Sequence, residues 1–339
     1  LMPLVVSILP REHFQTANVD FPSGWDFKFL NSYSEDEIIA ACRGADFLLA
    51  HATFPLITER VLQNIPSVRF IQIIGAGYDQ INISAAARLN LPVANVPGEN
   101  ATAVAEYIIG VIFILQRRII QADREVKAGN YSRISQQLMA AGLREIRNTR
   151  LGLIGLGAIG RQVARLARLM GASVSYYKPH RAPEREEAEM EVDYKPMDEL
   201  LSTSEVISLH VPLNGQTRGM IGSREFKLMR PGALFVNTAR GEIVDQDALA
   251  KALESGRLGG VAIDTMSPEP PLPDHPLLKL SPEARNRILL TPHIAGVTIG
   301  ALGRMLRAAL ANMARVAAGE PANYVVNGIN NSTGGTCSH

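Results

Sequence analysis

Three residues, each placed just beyond an apolar run, have the side-chain types needed to reduce a carbonyl. They are Arg240 in Asn237-Thr-Ala-Arg240-Gly241, Glu269 in Asp264-Thr-Met-Ser-Pro-Glu269-Pro-Pro, and His293 in Thr291-Pro-His293-Ile-Ala-Gly296. Arginine offers a fixed, permanently charged fork suited to a carboxylate, and charge-assisted bonds of this kind contribute roughly 1.5–3 kcal/mol each. Histidine supplies a proton near neutral pH, and a neighbouring carboxylate favours its imidazolium form. A glutamate locked between prolines has restricted freedom, which suits an orienting role. Singly, each has a plainer explanation: a surface arginine at a strand end, a solvated loop glutamate, an isolated histidine. Their order and spacing along the chain raise all three together.

A second group of residues points to a dinucleotide. The strand-like Leu151–Ile154 runs into Gly155-x-Gly157-x-x-Gly160, and a helix is expected over Arg161–Met170 with Gly171 closing it. Glycines in this arrangement permit a tight turn, close backbone approach to a pyrophosphate and close helix–strand packing. The helix start offers free N–H donors to the phosphates. The bland alternative is a glycine-rich turn in any parallel sheet.

Elements must carry these groups. Apolar runs predict strands at Leu4–Leu9, Asp46–Ala50, Arg69–Ile74 and Pro92–Val96, with helices at Ser34–Cys42, Thr58–Asn64 and Ile83–Leu89 between them. A long apolar helix over Ala101–Arg117 reads as a connector. After the glycine turn, strands are expected at Ser173–Tyr177, Val206–His210, Ala233–Asn237, Gly260–Asp264 and Ile288–Leu290. Helices are expected at Met197–Thr203, Ser223–Met229 and Asp247–Ser255, the last capped by Asp245. Pro268–Pro276 reads as loop, Thr298–Ala318 as one helix and Tyr324–Val326 as a short strand. The class is α/β: two flavodoxin- or Rossmann-like, doubly wound parallel-sheet domains. A cofactor domain at 102–294 is inserted into an outer substrate domain made of 1–101 and 295–330, with 331–339 a disordered tail. The cleft between the domains is where a substrate would meet the nicotinamide.

Composition narrows the partners. The chain has 339 residues, 46% of them hydrophobic, and a net charge of +1 with no long basic run, so neither nucleic acid nor an acidic membrane surface is indicated. No stretch approaches the ~18 continuous apolar residues of a membrane span. Two cysteines, Cys42 and Cys337, leave no disulfide framework or zinc pair, and no metal site is expected. Leu1–Pro10 is expected to be a first strand, not a signal peptide, and the protein to be cytoplasmic.

Taken together, these blocks resemble the D-isomer-specific 2-hydroxyacid dehydrogenase family, in its glyoxylate/hydroxypyruvate reductase-like branch. The likeness runs from about Leu4 to Asn327. It rests on Ile74-Gly-Ala-Gly77-Tyr-Asp79, Asn95-Val-Pro-Gly98 with Val104-Ala-Glu106, the glycine turn, Leu209-His-Val-Pro-Leu213, Met229-Arg-Pro-Gly-Ala, Asn237-Thr-Ala-Arg240-Gly241 and Thr291-Pro-His293. The resemblance implies that Arg240 binds the carboxylate or carbonyl oxygen, His293 donates the proton and Glu269 holds His293 charged. It further implies substrate contacts from Gly75, Ala76 and Gly77, whose backbone N–H groups suit a carboxylate. Cofactor contacts are implied for Val104, Gly155, Gly157, Ala158, Ile159, Gly160, Val211, Pro212, Thr217, Thr238, Ala239, Arg240, Asp264, His293, Ala295 and Gly296. Asp264 is assigned to the nicotinamide carboxamide, although it could instead cap the loop it opens. The helix from Gln116 and the Ala128–Leu143 excursion resemble the family's dimer arm, so a homodimer is expected.

One departure bears on the cofactor. NAD-preferring enzymes end the strand after the glycine turn with an acidic residue on the adenosine ribose. Here Ser175-Tyr-Tyr177 is followed by Lys178-Pro-His180-Arg181, and Lys178 and Arg181 would attract a 2′-phosphate. NADP(H) is therefore expected as the preferred cofactor, with NAD(H) possible. The expected reaction is reduction of a small 2-ketoacid (glyoxylate, hydroxypyruvate or an aryl pyruvate) to the D-2-hydroxyacid. The alternative is a dinucleotide-sensing corepressor of the same fold.

Overall fold

The computed structural model describes residues 2–329, so the tail expected at 331–339 lies outside the described residues. The chain divides into two compact units, residues 2–100 with 297–329, and Ala101–Gly296. The second unit extends beyond the expected 102–294 because the connector helix starts at Ala101 and the turn after Thr291 is tied to Asp264 as far as Ala295.

In the first unit, β1 (Leu4–Ser7), β2 (Asp26–Phe29), β3 (Phe47–His51), β4 (Phe70–Ile74) and β5 (Val93–Ala94) form a parallel sheet in the order β2-β1-β3-β4-β5. That order is the flavodoxin-like, doubly wound one. The central strands carry near-continuous apolar runs because helices cover both faces. The helix Ile299–Ala317 returns from the C-terminal segment onto this sheet. Its Asn312 side-chain amide donates to Gln72 Oε1 at 2.7 Å, so two buried polar side chains satisfy each other. The strand expected at Tyr324–Val326 is reduced to one antiparallel bridge between Ala94 and Val325.

The second unit carries β6 (Arg150–Ile154), β7 (Ser173–Tyr177), β8 (Val192–Tyr194), β9 (Val206–Leu209), β10 (Ala233–Asn237), β11 (Leu258–Ile263) and β12 (Ile288–Leu290). All pair in parallel, in the order β12-β11-β10-β9-β6-β7-β8. Strand order reverses between β6 and β9, the switch point at which such sheets bind ligands. One face packs against the helices Ala101–Gln116 and Ala158–Leu169 through Val104, Ile108, Val163, Ala164, Leu153 and Tyr176. The other buries Ile207, Leu209, Phe226, Phe235, Leu249 and Leu253. Burying a side chain of this size contributes about 1.5–3 kcal/mol, so this double-sided core makes a rigid platform for the loops at the strands' C-terminal ends.

Candidate active site

The glycine turn leaves β6 at the switch point. Gly155 adopts φ +104°, and a Cβ there would lie 2.5 Å from the His210 carbonyl oxygen. A Cβ on Gly160 would lie 2.4 Å from the Gly155 carbonyl oxygen. Both positions are thus closed to any side chain. Gly157 differs: nothing lies within 4 Å of its Cβ direction, and it is the N-cap of the helix Ala158–Leu169 with no side chain capping that end. The helix begins inside the turn, three residues before the expected Arg161. Open space beside uncapped N–H donors fits the pyrophosphate of a dinucleotide.

Three neighbouring strands, β10, β11 and β12, each feed one of the three chemically apt residues. Arg240 follows β10, where the side-chain amide of Asn237 donates to the Arg240 carbonyl at 2.9 Å and the guanidinium donates to the Ala239 carbonyl at 2.7 Å. Gly241 explains why this loop lies so close to the next one. A Cβ there would fall 2.2 Å from the Met266 carbonyl carbon, in the loop that carries Glu269. That second loop is tied down by buried His275, whose Nε2 lies 3.2 Å from the Ser267 carbonyl oxygen. Glu269 then meets His293: Nδ1 is 2.9 Å from Oε1 and 3.1 Å from Oε2. The imidazole is 21% and the carboxylate 33% exposed, so the pair is half-shielded and still open to a small molecule.

Asp264 anchors the turn that bears His293. Its Oδ1 accepts from the Thr291 hydroxyl at 2.6 Å and from Ile294 N–H at 2.9 Å, and its Oδ2 accepts from Ala295 N–H at 2.8 Å. Its carbonyl accepts from His293 N–H at 2.8 Å. It holds the following strand's turn, not the loop it opens. The Thr291 hydroxyl in turn lies 2.5 Å from the Tyr107 hydroxyl on the connector helix.

The remaining expected residues fall into several settings. Ala158 and Ile159 begin the helix after the glycine turn. Val104 is packed into the core at 4% exposure and Ala295 is equally buried, whereas Gly296 is half-exposed. Val211 is half-buried, and Pro212 lies in a loop closed by the Thr217 hydroxyl, which donates to the Pro212 carbonyl at 2.6 Å. Thr238 is buried, and Ala239 N–H is held by Asn237 Oδ1 at 2.9 Å. In the other unit, Gly75, Ala76 and Gly77 form the turn after β4, with Gly75 at φ +110° and the Ala76 carbonyl accepting from the Asn95 side-chain amide at 2.7 Å.

Arg181 departs most from its expected setting. Its guanidinium grips Glu187 with two bonds, 2.9 Å from Nε and 2.6 Å from Nη2, and Glu187 also accepts from the Tyr176 hydroxyl at 2.6 Å. These partners hold the Glu187 carboxyl well below the usual range, at about 2, Arg181 first and Tyr176 second. The cation expected to meet a 2′-phosphate is thus paired with Glu187, while its side chain stays 53% exposed. Among the described residues no acidic group pairs with Lys178. Tyr107 and His275 carry no motif of their own, so only the fold exposes their roles as anchors of the two loops.

Residues 109–295 match the family model described as "D-isomer specific 2-hydroxyacid dehydrogenase, NAD binding domain". The chain belongs to the D-isomer-specific 2-hydroxyacid dehydrogenases. It is 35% identical over 326 residues to a glyoxylate reductase of Aeropyrum pernix, covering 93% of this chain and 94% of that protein. Among solved structures it is similar to the apo D-mandelate dehydrogenase of Rhodotorula graminis, with a TM-score of 0.83 and 25% identity over 96% of this chain and 98% of that one. It also resembles the Aquifex aeolicus D-lactate dehydrogenase complexed with NAD and lactic acid, with a TM-score of 0.80 and 27% identity over 94% and 96% of the two chains. As a 2-hydroxyacid dehydrogenase the protein is an oxidoreductase that uses a nicotinamide dinucleotide, and the glycine turn fits that group. No helix among the described residues is long and apolar enough to cross a membrane.

Proposed function

We propose that this dehydrogenase works as an NADP(H)-preferring reductase of a small 2-ketoacid, with glyoxylate, hydroxypyruvate or an aryl pyruvate as acceptor and the D-2-hydroxyacid as product. The observation that carries the reading is the His293–Glu269 pair at 2.9 Å on the loops after β11 and β12. The bound nicotinamide supplies the hydride. The chain's own residues do the rest: His293 gives its proton to the alkoxide that develops on the carbonyl oxygen, and Glu269 orients the ring through Nδ1, leaving Nε2 for the substrate. Arg240 binds the carboxylate or polarises the carbonyl as charge grows. The Gly75–Gly77 turn contributes backbone donors to the carboxylate, as the resemblance implies.

The cofactor preference is supported by Lys178, which stands where an NAD-preferring enzyme has a carboxylate. Arg181 is committed to Glu187, so selectivity falls mainly to Lys178. The proposed homodimer is supported by exposed apolar side chains on the helices Ile119–Lys127 and Tyr131–Ala141, among them Tyr131 at 68% and Met139 at 79% exposure. Gel filtration at several concentrations tests it. The reaction is tested by an acceptor panel run with NADPH and with NADH while following nicotinamide absorbance. Turnover of at least one 2-ketoacid, faster with NADPH, is expected; binding of NADPH without turnover of any acid would leave the corepressor.

A further inference from the structure

We infer that Tyr107 is a positioning residue for the proposed proton donor: acting through Thr291, its hydroxyl steadies the Asp264 carboxylate that fixes the His293 turn. The inference rests on the reading of His293 given above.

The direction of the chain follows from counting protons. The Thr291 hydroxyl has one, and it points to Asp264 Oδ1 at 2.6 Å, since a carboxylate only accepts. Tyr107, 2.5 Å from the same Thr291 oxygen, is therefore the donor to it. Burial raises the Tyr107 phenol above its ordinary range, which keeps that proton in place. Because Tyr107 donates to its oxygen, the Thr291 hydroxyl directs its own proton toward Asp264, and bonds aligned in this way polarise one another. Asp264, 1% exposed, passes the constraint to the turn through Ile294 and Ala295 N–H.

His293 gives this constraint a purpose. It sits at φ +55°, a left-handed conformation that costs a non-glycine residue of order 1–3 kcal/mol and persists only where the surroundings over-determine it. The four bonds to Asp264 supply that determination. Tyr107 belongs to the helix Ala101–Gln116, whose apolar residues are packed into the core, so the relay ties the His293 turn to a rigid element.

The test compares Tyr107→Phe, Thr291→Val and the double variant by hydrogen-exchange mass spectrometry of the full chain, alongside ketoacid reduction and NADPH binding. In Tyr107→Phe the amides of 291–297 are expected to exchange about fivefold faster, the equivalent of one net hydrogen bond. Peptides from β6 and β9 should be unchanged, kcat should fall by a similar factor, and the NADPH Kd should stay within twofold. The double variant should lose no more than Thr291→Val alone, because both act through one chain, and Thr291→Ser should behave like the parent. Unchanged exchange at 291–297, acceleration throughout the unit, or losses that multiply in the double variant would overturn the inference. His293→Asn separates the two levels. If it abolishes reduction while Tyr107→Phe leaves the turn unchanged, only this inference fails; if His293→Asn still reduces the ketoacid, the donor reading fails as well.

Discussion

Gly241 offers a perturbation whose effect can be worked from geometry. A methyl group in place of its hydrogen lands 2.2 Å from the Met266 carbonyl carbon, 2.3 Å from that carbonyl's oxygen and 2.6 Å from Ser267 N. All three are backbone atoms, so no rotamer relieves the clash. Ordinary contact begins near 3.4 Å, so the Met266–Ser267 segment must move by about 1 Å, and Glu269 follows it two residues later. Overpacking of this kind costs about 1–3 kcal/mol in stability. A 1 Å misplacement near the reacting groups costs on the order of 100-fold in rate. Gly241→Ala should therefore lower kcat/KM for the ketoacid about 100-fold and depress the Tm by several degrees. The glycine turn follows β6, separated from β10 by β9, so its hold on the pyrophosphate should persist and the NADPH Kd measured by fluorescence should rise far less than kcat/KM falls. Retention of kcat/KM within threefold of the parent, or loss of cofactor binding equal to the loss of rate, would refute the claim that this glycine seats the Glu269 loop against the Arg240 loop.

Cofactor choice should respond to Lys178 more than to Arg181: Lys178→Ala should cut the NADPH-over-NADH ratio of kcat/KM about tenfold. Arg181→Ala should instead lower the Tm by freeing the buried Glu187 carboxylate, and a larger change in that ratio from Arg181→Ala would reverse the assignment. His210 should make stability pH-dependent. Both of its ring nitrogens are shielded without a hydrogen-bond partner, and burial pushes the ring down to about 3. Between the ordinary value near 6.5 and about 3 the unfolded chain takes up the extra proton, so stability should fall as pH drops through this window, by at most about 1.4 kcal/mol per pH unit. Urea midpoints from pH 7 to 5 check this, and His210→Phe should flatten the slope; an unchanged slope would assign it to other groups.

Much of the fold is legible in the sequence because parallel strands buried on both faces are apolar without interruption. Ala233–Asn237 appears where its apolar run places it, and Phe47–His51 lies within one residue of its run. The edges are not legible. β2 is four residues, Asp26-Phe-Lys-Phe29, whose rings close an aromatic cluster with Phe14 and Phe21 instead of joining an apolar run. β8 has only Val192-Asp-Tyr194. The helix Glu184–Met190 has no apolar stripe, since the residue it buries is Glu187, satisfied by Arg181 and Tyr176. In the site, Arg240, Glu269 and His293 stand out because each follows a strand and has the chemistry reduction requires. The Asp264 contacts do not stand out, because most of its donors are backbone N–H groups that carry no side-chain signature. The commitment of Arg181 is equally hidden, since a basic residue after a strand looks the same whether or not a buried acid waits for it.

One imidazole, that of His293, carries the proposed proton transfer. Reduction of the best ketoacid by His293→Asn, measured with saturating NADPH and with the cofactor Kd determined in parallel, tests it most directly. A fall in kcat/KM of between about 100- and 10,000-fold with the Kd within twofold is the result required of a general acid. A variant that keeps reducing the ketoacid within tenfold of the parent would contradict the account.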